Sequence, residues 1–224
     1  MLGARMLAAM TLDADAQSPP RVRRGRPPKT AAERDEGNRR QDLIAAAARL
    51  FRTKGFDGTS TRDIAAAADM QSGSPFYFFQ NKQAMLHAVM QEGMARVIAT
   101  QAEVLKALGG RATAHARLRA LARHHLEVLL GPHSDFIPVM LYEWRSLTPV
   151  QRVDITAQKD AYEAAWMPAI RTLYRAGQIK ATPEAARLLI FGALQWAVQW
   201  YRPQGALSLD QLTEQAMLLF TREK

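Results

Sequence analysis

From Asn38 to the last residues, apolar side chains recur three and four positions apart, and no segment alternates apolar with polar for long enough to make a strand. A period near 3.6 puts those side chains on one stripe of a helix, so the pattern restricts the chain to packed helices. The expected fold class is all-α. Leu43, Ile44, Ala47, Leu50 and Phe51 share a face of the first helix, which Asn38 is placed to cap and Gly55 to end. Ser60 and Asp63 have the spacing of a capping box and open a short helix that buries Ile64, Ala65 and Ala68. Asp69–Met70 makes a turn, a third short helix is expected within 71–79, and Asn81 caps a long fourth one carrying Met85, Val89, Val97 and Val104. Beyond Gly109–Gly110, helices are expected near 112–130, 135–147, 150–177 with a kink at Pro168, 183–201 and 208–222.

Residues 1–37 lack this periodicity and read as a disordered basic arm. Its stretch "RVRRGRPPKT", Arg21 to Thr30, holds five positive side chains and no acid, more than half of the chain's formal net charge of +9. Such an excess favours anionic partners, nucleic acid before an acidic membrane surface. The opening "MLGARMLAAMTLDADA" begins like a signal peptide, but Asp13 and Asp15 end its apolar run too early. The longest apolar stretch, "LLIFGALQWAVQWY" from Leu188 to Tyr201, is shorter than the ~20 residues of a membrane span and contains Gln195 and Gln199. A soluble, cytoplasmic protein with no membrane partner is expected.

Several kinds of chemistry are excluded. With no cysteine there is no disulfide, thiolate metal site or Cys nucleophile. His124 and His125 are adjacent in a helix and cannot both face one metal, so neither a metal site nor a cofactor is expected. The chain has no G-x-S-x-G and no Walker A pattern, and it is read as not an enzyme.

Two short helices joined by a tight turn and backed by a longer one describe either an ordinary three-helix core or a helix-turn-helix unit. The second short helix favours the latter. "QSGSPFYFFQNK" sets Gln71, Ser72, Gly73 and Ser74 at a helix start, where a helix entering a major groove meets base edges, and follows them with aromatics and Lys82. The segment "RRQDLIAAAARLFRTKGFDGTSTRDIAAAADMQSGSPFYFFQNKQAML" resembles the DNA-binding domain of the TetR/AcrR family of transcriptional regulators, over Arg39 to about Leu86. The resemblance implies base-edge contacts from Gln71, Ser72 and Ser74, and phosphate contacts from Thr59, Thr61, Tyr77 and Lys82. It has departures: Asp69 stands where glycine is usual in the turn, Pro75 replaces a leucine, Phe76 a common tyrosine and Phe78 a frequent histidine.

On this reading the head spans 38–84 and a helical ligand-binding and dimerisation domain spans 85–224. The core of the arm, "RGRP", resembles an AT-hook, with Arg24 and Arg26 flanking a backbone slim enough for a narrow minor groove; a solvated tail with nonspecific attraction is the other reading. The resemblance implies that the last two helices pair across a twofold axis in a homodimer. The 188–201 run agrees, being apolar on nearly every face, although a buried central helix of a monomer reads the same way. Met94, Val97, Leu126, Phe136, Met140, Trp144, Tyr162, Trp166, Ile170 and Phe191 are the candidates for an effector pocket. The segments "YEWRSLTPVQ", "YEAAWMPAIRTLYRAGQI" and "FGALQWAVQWYRPQGALS" are similar to regulators of steroid and fatty-acid catabolism in that family, which implies a largely apolar effector such as an acyl-CoA. The expected function is a ligand-responsive repressor of a palindromic double-stranded DNA operator. An architectural binder of A·T-rich DNA without an effector is the alternative.

Overall fold

A computed structural model describes residues 31–131 and 136–222, with side chains from residue 35 onward. Ten α-helices and a 3-10 turn follow in order among these residues: α1 Ala31–Lys54, α2 Thr61–Ala67, α3 Pro75–Phe78, α4 Lys82–Ala107, α5 Ala114–Leu130, α6 Phe136–Tyr142, the turn Trp144–Ser146, α7 Pro149–Ala164, α8 Met167–Arg175, α9 Pro183–Trp200 and α10 Leu209–Phe220. None is long and apolar enough to cross a membrane.

The stop and start signals act locally, and at three of these helices they fall where the sequence sets them. Ser60 accepts from the Asp63 N–H while the Asp63 carboxylate accepts from the Ser60 N–H, and Asn81 Oδ1 accepts from the Ala84 N–H at 2.8 Å. Gly55, at φ 73°, ends α1 in the left-handed conformation, and Thr148 and Ser208 open α7 and α10 with further capping boxes.

Three boundaries differ from the expectation. α1 begins at Ala31, not Asn38, so the arm's residues 31–37 are helical; Ala31 and Ala32 are strong helix formers, and Asp35 sits 3.5 Å from Arg39 one turn on. The helix expected over 135–147 ends at Tyr142 and continues as the 3-10 turn. The kink expected at Pro168 is a full break, with α7 ending at Ala164 and Pro168 in the first turn of α8. Proline has no N–H to give and its ring crowds the carbonyl four residues back, which is where α7 stops.

Two apolar cores share one long rod. The first half of α4 gives Met85, Leu86, Val89 and Met90 to a core with Leu43, Ile44, Ala47, Phe51 and Ile64, which holds α1, α2 and α3 together. Its second half gives Met94 and Val97 to a core with Leu118, Leu121, Leu126, Trp166, Ile170, Phe191 and Leu194 of α5, α8 and α9. At 26 residues α4 is about 39 Å long, enough to reach both. α6 crosses α4 between the cores. There Gly93 admits the Phe136 ring so closely that a Cβ at 93 would lie 2.1 Å from it.

Candidate nucleic-acid interface and effector chamber

The turn between α2 and α3 sets what the head presents. Asp69 holds φ 53°, the left-handed conformation that the expected glycine would adopt at less cost, and it turns the chain towards Gln71. Pro75 is the first residue of α3, where its missing N–H costs nothing, and the helix lies within the expected 71–79. Gln71, Ser72 and Gly73 are exposed ahead of it, and Ser74 is half-buried. Thr61, Ser72 and Gly73 border one open cleft, joined by Ser60, Arg62 and Phe76. Arg62 was not singled out from the sequence; its exposed position beside Thr61 puts a fork of N–H donors on this cleft. Tyr77 is 74% exposed, with its hydroxyl 3.4 Å from Glu36 of α1.

Two expected phosphate contacts are placed otherwise. Thr59 is 1% exposed, and its hydroxyl donates to the Gly55 carbonyl at 2.8 Å. It closes the loop after α1 and does not reach the surface. The Lys82 ammonium donates to the carbonyls of Phe56 and Thr59 at 2.6 and 2.8 Å and stands 4.2 Å over the Phe56 ring. Two of its three donors thus serve the fold of the α1–α2 loop. Arg24 and Arg26 lie outside the described residues.

The same loop is tied to the other half of the chain. Glu143, which follows α6, accepts from the Phe56 N–H at 3.0 Å and from the Ser146 hydroxyl at 3.2 Å. Nearby, His87 and Gln91 of α4 reach the Asp154 carboxylate of α7 at 2.8 and 2.6 Å.

Between α4, α5, α6, α7 and α9 lies a cavity of about 20 Å³, room for one water and little more. Met94, Val97, Met140, Tyr162 and Phe191 line it, as the sequence suggested, together with His125, Val128, Ile137, Lys159, Glu163 and Gln195. Leu126, Trp166 and Ile170 pack in the layer behind, and Phe136 fills the crossing at Gly93. Trp144 is corrected outright: it packs against the head's core and not towards the cavity. His125 was weighed only as a metal ligand; its place on the face of Leu118, Leu121, Ala122 and Leu129 was the signal that it points inward.

The cavity's polar groups are unusual for a core. His125 is 4% exposed; its Nδ1 lies 2.9 Å from the Tyr162 hydroxyl, while its Nε2 has no hydrogen-bond partner. Burial, with His124 adjacent, pushes its pKa down to about 3, so the ring is neutral, and burial likewise pushes the Tyr162 phenol up. The Glu163 carboxylate is buried between Lys159, at 3.3 Å, and Arg187. Lys159 is half exposed and marks the side open to solvent.

On the far surface, α9 keeps a second apolar stripe. Leu188, Leu189, Trp196 and Trp200 are exposed there, Trp196 by 65%, beside Leu218 and Leu219 of α10. Exposed apolar side chains gathered on two adjacent helices are the kind of surface that marks an interaction site.

Comparison with known proteins agrees with both halves. The family described as "Bacterial regulatory proteins, tetR family" matches residues 43–89, and "Tetracyclin repressor-like, C-terminal domain" matches 111–223. The HTH-type transcriptional repressor KstR2 of Rhodococcus jostii (strain RHA1) is 27% identical over 195 residues, 84% of this chain and 92% of that one. Among solved structures, the superantigen PfiT is 35% identical with a TM-score of 0.73, over 83% of this chain and 97% of that one. AibR, in complex with isovaleryl coenzyme A and operator DNA, is 28% identical with a TM-score of 0.72, over 81% and 97%.

Proposed function

For a chain that belongs to the TetR family of bacterial regulatory proteins, we propose the role of a homodimeric repressor that leaves its operator when a largely apolar effector, of the acyl-CoA type, enters the helical domain. The head, 38–84, reads base edges through Gln71, Ser72 and Ser74 and holds phosphates through Thr61, Tyr77 and Arg62, with the third donor of Lys82 as a minor addition. Arg24 and Arg26 of the arm follow the neighbouring minor groove. The α9–α10 stripe is covered by a second copy, and twofold symmetry then asks for a palindromic site with half-site centres about 34–36 Å apart or a multiple.

One observation carries the regulatory part: α6 supplies Ile137 and Met140 to the cavity wall and is followed directly by Glu143, which holds the Phe56 N–H of the head. A cavity of about 20 Å³ cannot take an effector without moving its walls, and α6 is one of them. An effector that binds the moved arrangement more tightly shifts the population away from DNA binding; a hundredfold loss of operator affinity needs about 2.7 kcal/mol of such difference. The relatives support the class, since KstR2 is named a repressor and AibR was solved with both isovaleryl coenzyme A and operator DNA.

The test is footprinting on the DNA flanking the protein's own gene, with and without a series of acyl-CoAs. A protected palindrome that acyl-CoAs release supports the proposal. Protection that no acyl-CoA alters leaves the architectural reading in its place.

A further inference from the structure

The cavity's polar atoms say more about the occupant than its apolar wall does. A buried phenol must place its proton on an acceptor, and the acceptor beside the Tyr162 hydroxyl is His125 Nδ1, at 2.9 Å. A neutral imidazole that accepts at Nδ1 carries its proton at Nε2, so Nε2–H is a donor, on a ring that lines the cavity, with no partner. One more buried donor stands without an acceptor in the same region: the Trp166 indole N–H, whose ring meets that of His125 edge-on at 5.8 Å. At the ring of His125 the deficit is one of acceptors; the buried Gln158 Oε1, one turn before Tyr162 on α7, is unpaired in the opposite sense. Each unmade bond of this kind costs on the order of 1–3 kcal/mol, which a pure hydrocarbon in the cavity would leave in place.

We propose that the chamber selects effectors by an uncharged hydrogen-bond acceptor, a ketone, ester or thioester carbonyl, that docks on His125 Nε2–H while its hydrocarbon lies on Met94, Val97, Met140 and Phe191. This rests on the effector reading above and narrows it to a chemical class. A carboxylate meets poorer terms here. The imidazole stays neutral, and Lys159, the cation at the wall, already shares the buried Glu163 carboxylate with Arg187. For an acyl-CoA the thioester carbonyl is the docking atom.

Hexan-2-one and methyl pentanoate, compared with hexane and hexanoate, isolate the contact on the full-length protein by thermal shift and titration calorimetry. The ketone and ester bind about tenfold more tightly than hexane or hexanoate, a difference of about 1.4 kcal/mol. His125→Phe keeps the aromatic packing on Phe191 and Trp166, removes the donor, and brings the ketone-to-hexane ratio to about one. Should that variant fail to fold because it strands the Tyr162 hydroxyl, the double variant His125→Phe/Tyr162→Phe removes both polar groups and is read in the same way. Equal affinity for hexane or hexanoate, or a preference for ketone that survives the variants, overturns the inference while the effector reading stands. If none of the four binds and acyl-CoAs leave the operator complex unaltered, both fall.

Discussion

The head and the effector domain are built from the same kind of helix, yet they treat buried polar groups in opposite ways. Around the head, Thr59, Lys82 and Glu143 each end on a partner at 3.0 Å or less, and the fully buried members of its core are apolar. In the effector domain, His125 Nε2, Trp166 Nε1 and Gln101 Nε2 are buried without one. A fully satisfied unit has one well-defined shape, which suits a surface that must match a groove. A unit with unmet donors is held less firmly in its closed form and gains most when something enters it. On the function proposed above, the contrast divides the labour of a regulator between a rigid reader and a poised receiver.

The contrast can be broken most decisively at the head's core. Phe51→Ala should cost about 3–5 kcal/mol in urea unfolding and abolish operator binding, since the ring is almost wholly buried and touches Phe56 at 5.5 Å. A loss under 1 kcal/mol would mean that the head is not tightly packed.

Acid should act on the other unit. His125 has a folded pKa of about 3 against 6.5 when exposed, so between those values the unfolded chain binds a proton that the folded one refuses. Stability is therefore complete above pH 6.5 and falls as pH drops towards 3, by about 1.4 kcal/mol per unit, or about 2 kcal/mol between pH 6.5 and 5. Chemical denaturation at the two pH values measures it, and His125→Phe should flatten that part of the profile.

A smaller effect tests the joint. Glu143→Ala strands the Phe56 N–H and should cost about 1–2 kcal/mol, with Glu143→Gln, which keeps an acceptor, recovering most of it. A variant that loses effector response while operator affinity holds would sharpen the division further. The smallest change is predicted for Gln101→Leu: deleting a donor that has no partner should leave stability within about 1 kcal/mol, on the favourable side. A clear loss there would show that the receiver's polar groups are satisfied after all.

What the sequence disclosed follows the same line. Caps and turns are decided by neighbours within a few residues, so Ser60, Asp63, Asn81 and the aspartate turn at Asp69 could be read directly. The helical class and the family were legible from the same local features. For Thr59 and Lys82, residue type shows that a hydroxyl or an ammonium is available, not that the carbonyls of Gly55, Phe56 and Thr59 already engage it. Met94, Val97, Met140, Tyr162 and Phe191, five of the residues named from the sequence, lie on the cavity wall. Trp144 was assigned to it wrongly, and His125 was missed, because which helix faces which is a property of the packed molecule.

The joint at Phe56 bears on how regulators of this build could be recombined. Glu143 asks nothing of the head but a main-chain N–H, which every residue except proline supplies, and a glycine before it, because a Cβ at position 55 would lie 3.2 Å from the Glu143 oxygen. A foreign reading head grafted in front of α4 would thus inherit the connection whatever bases it recognises, provided that it brings a glycine-ended first helix and no proline at the next position. The hydrogen bond is generic, but the packing of Val139, Leu147 and Ile155 into the head's core is not, so an exchanged head must also fit those three side chains.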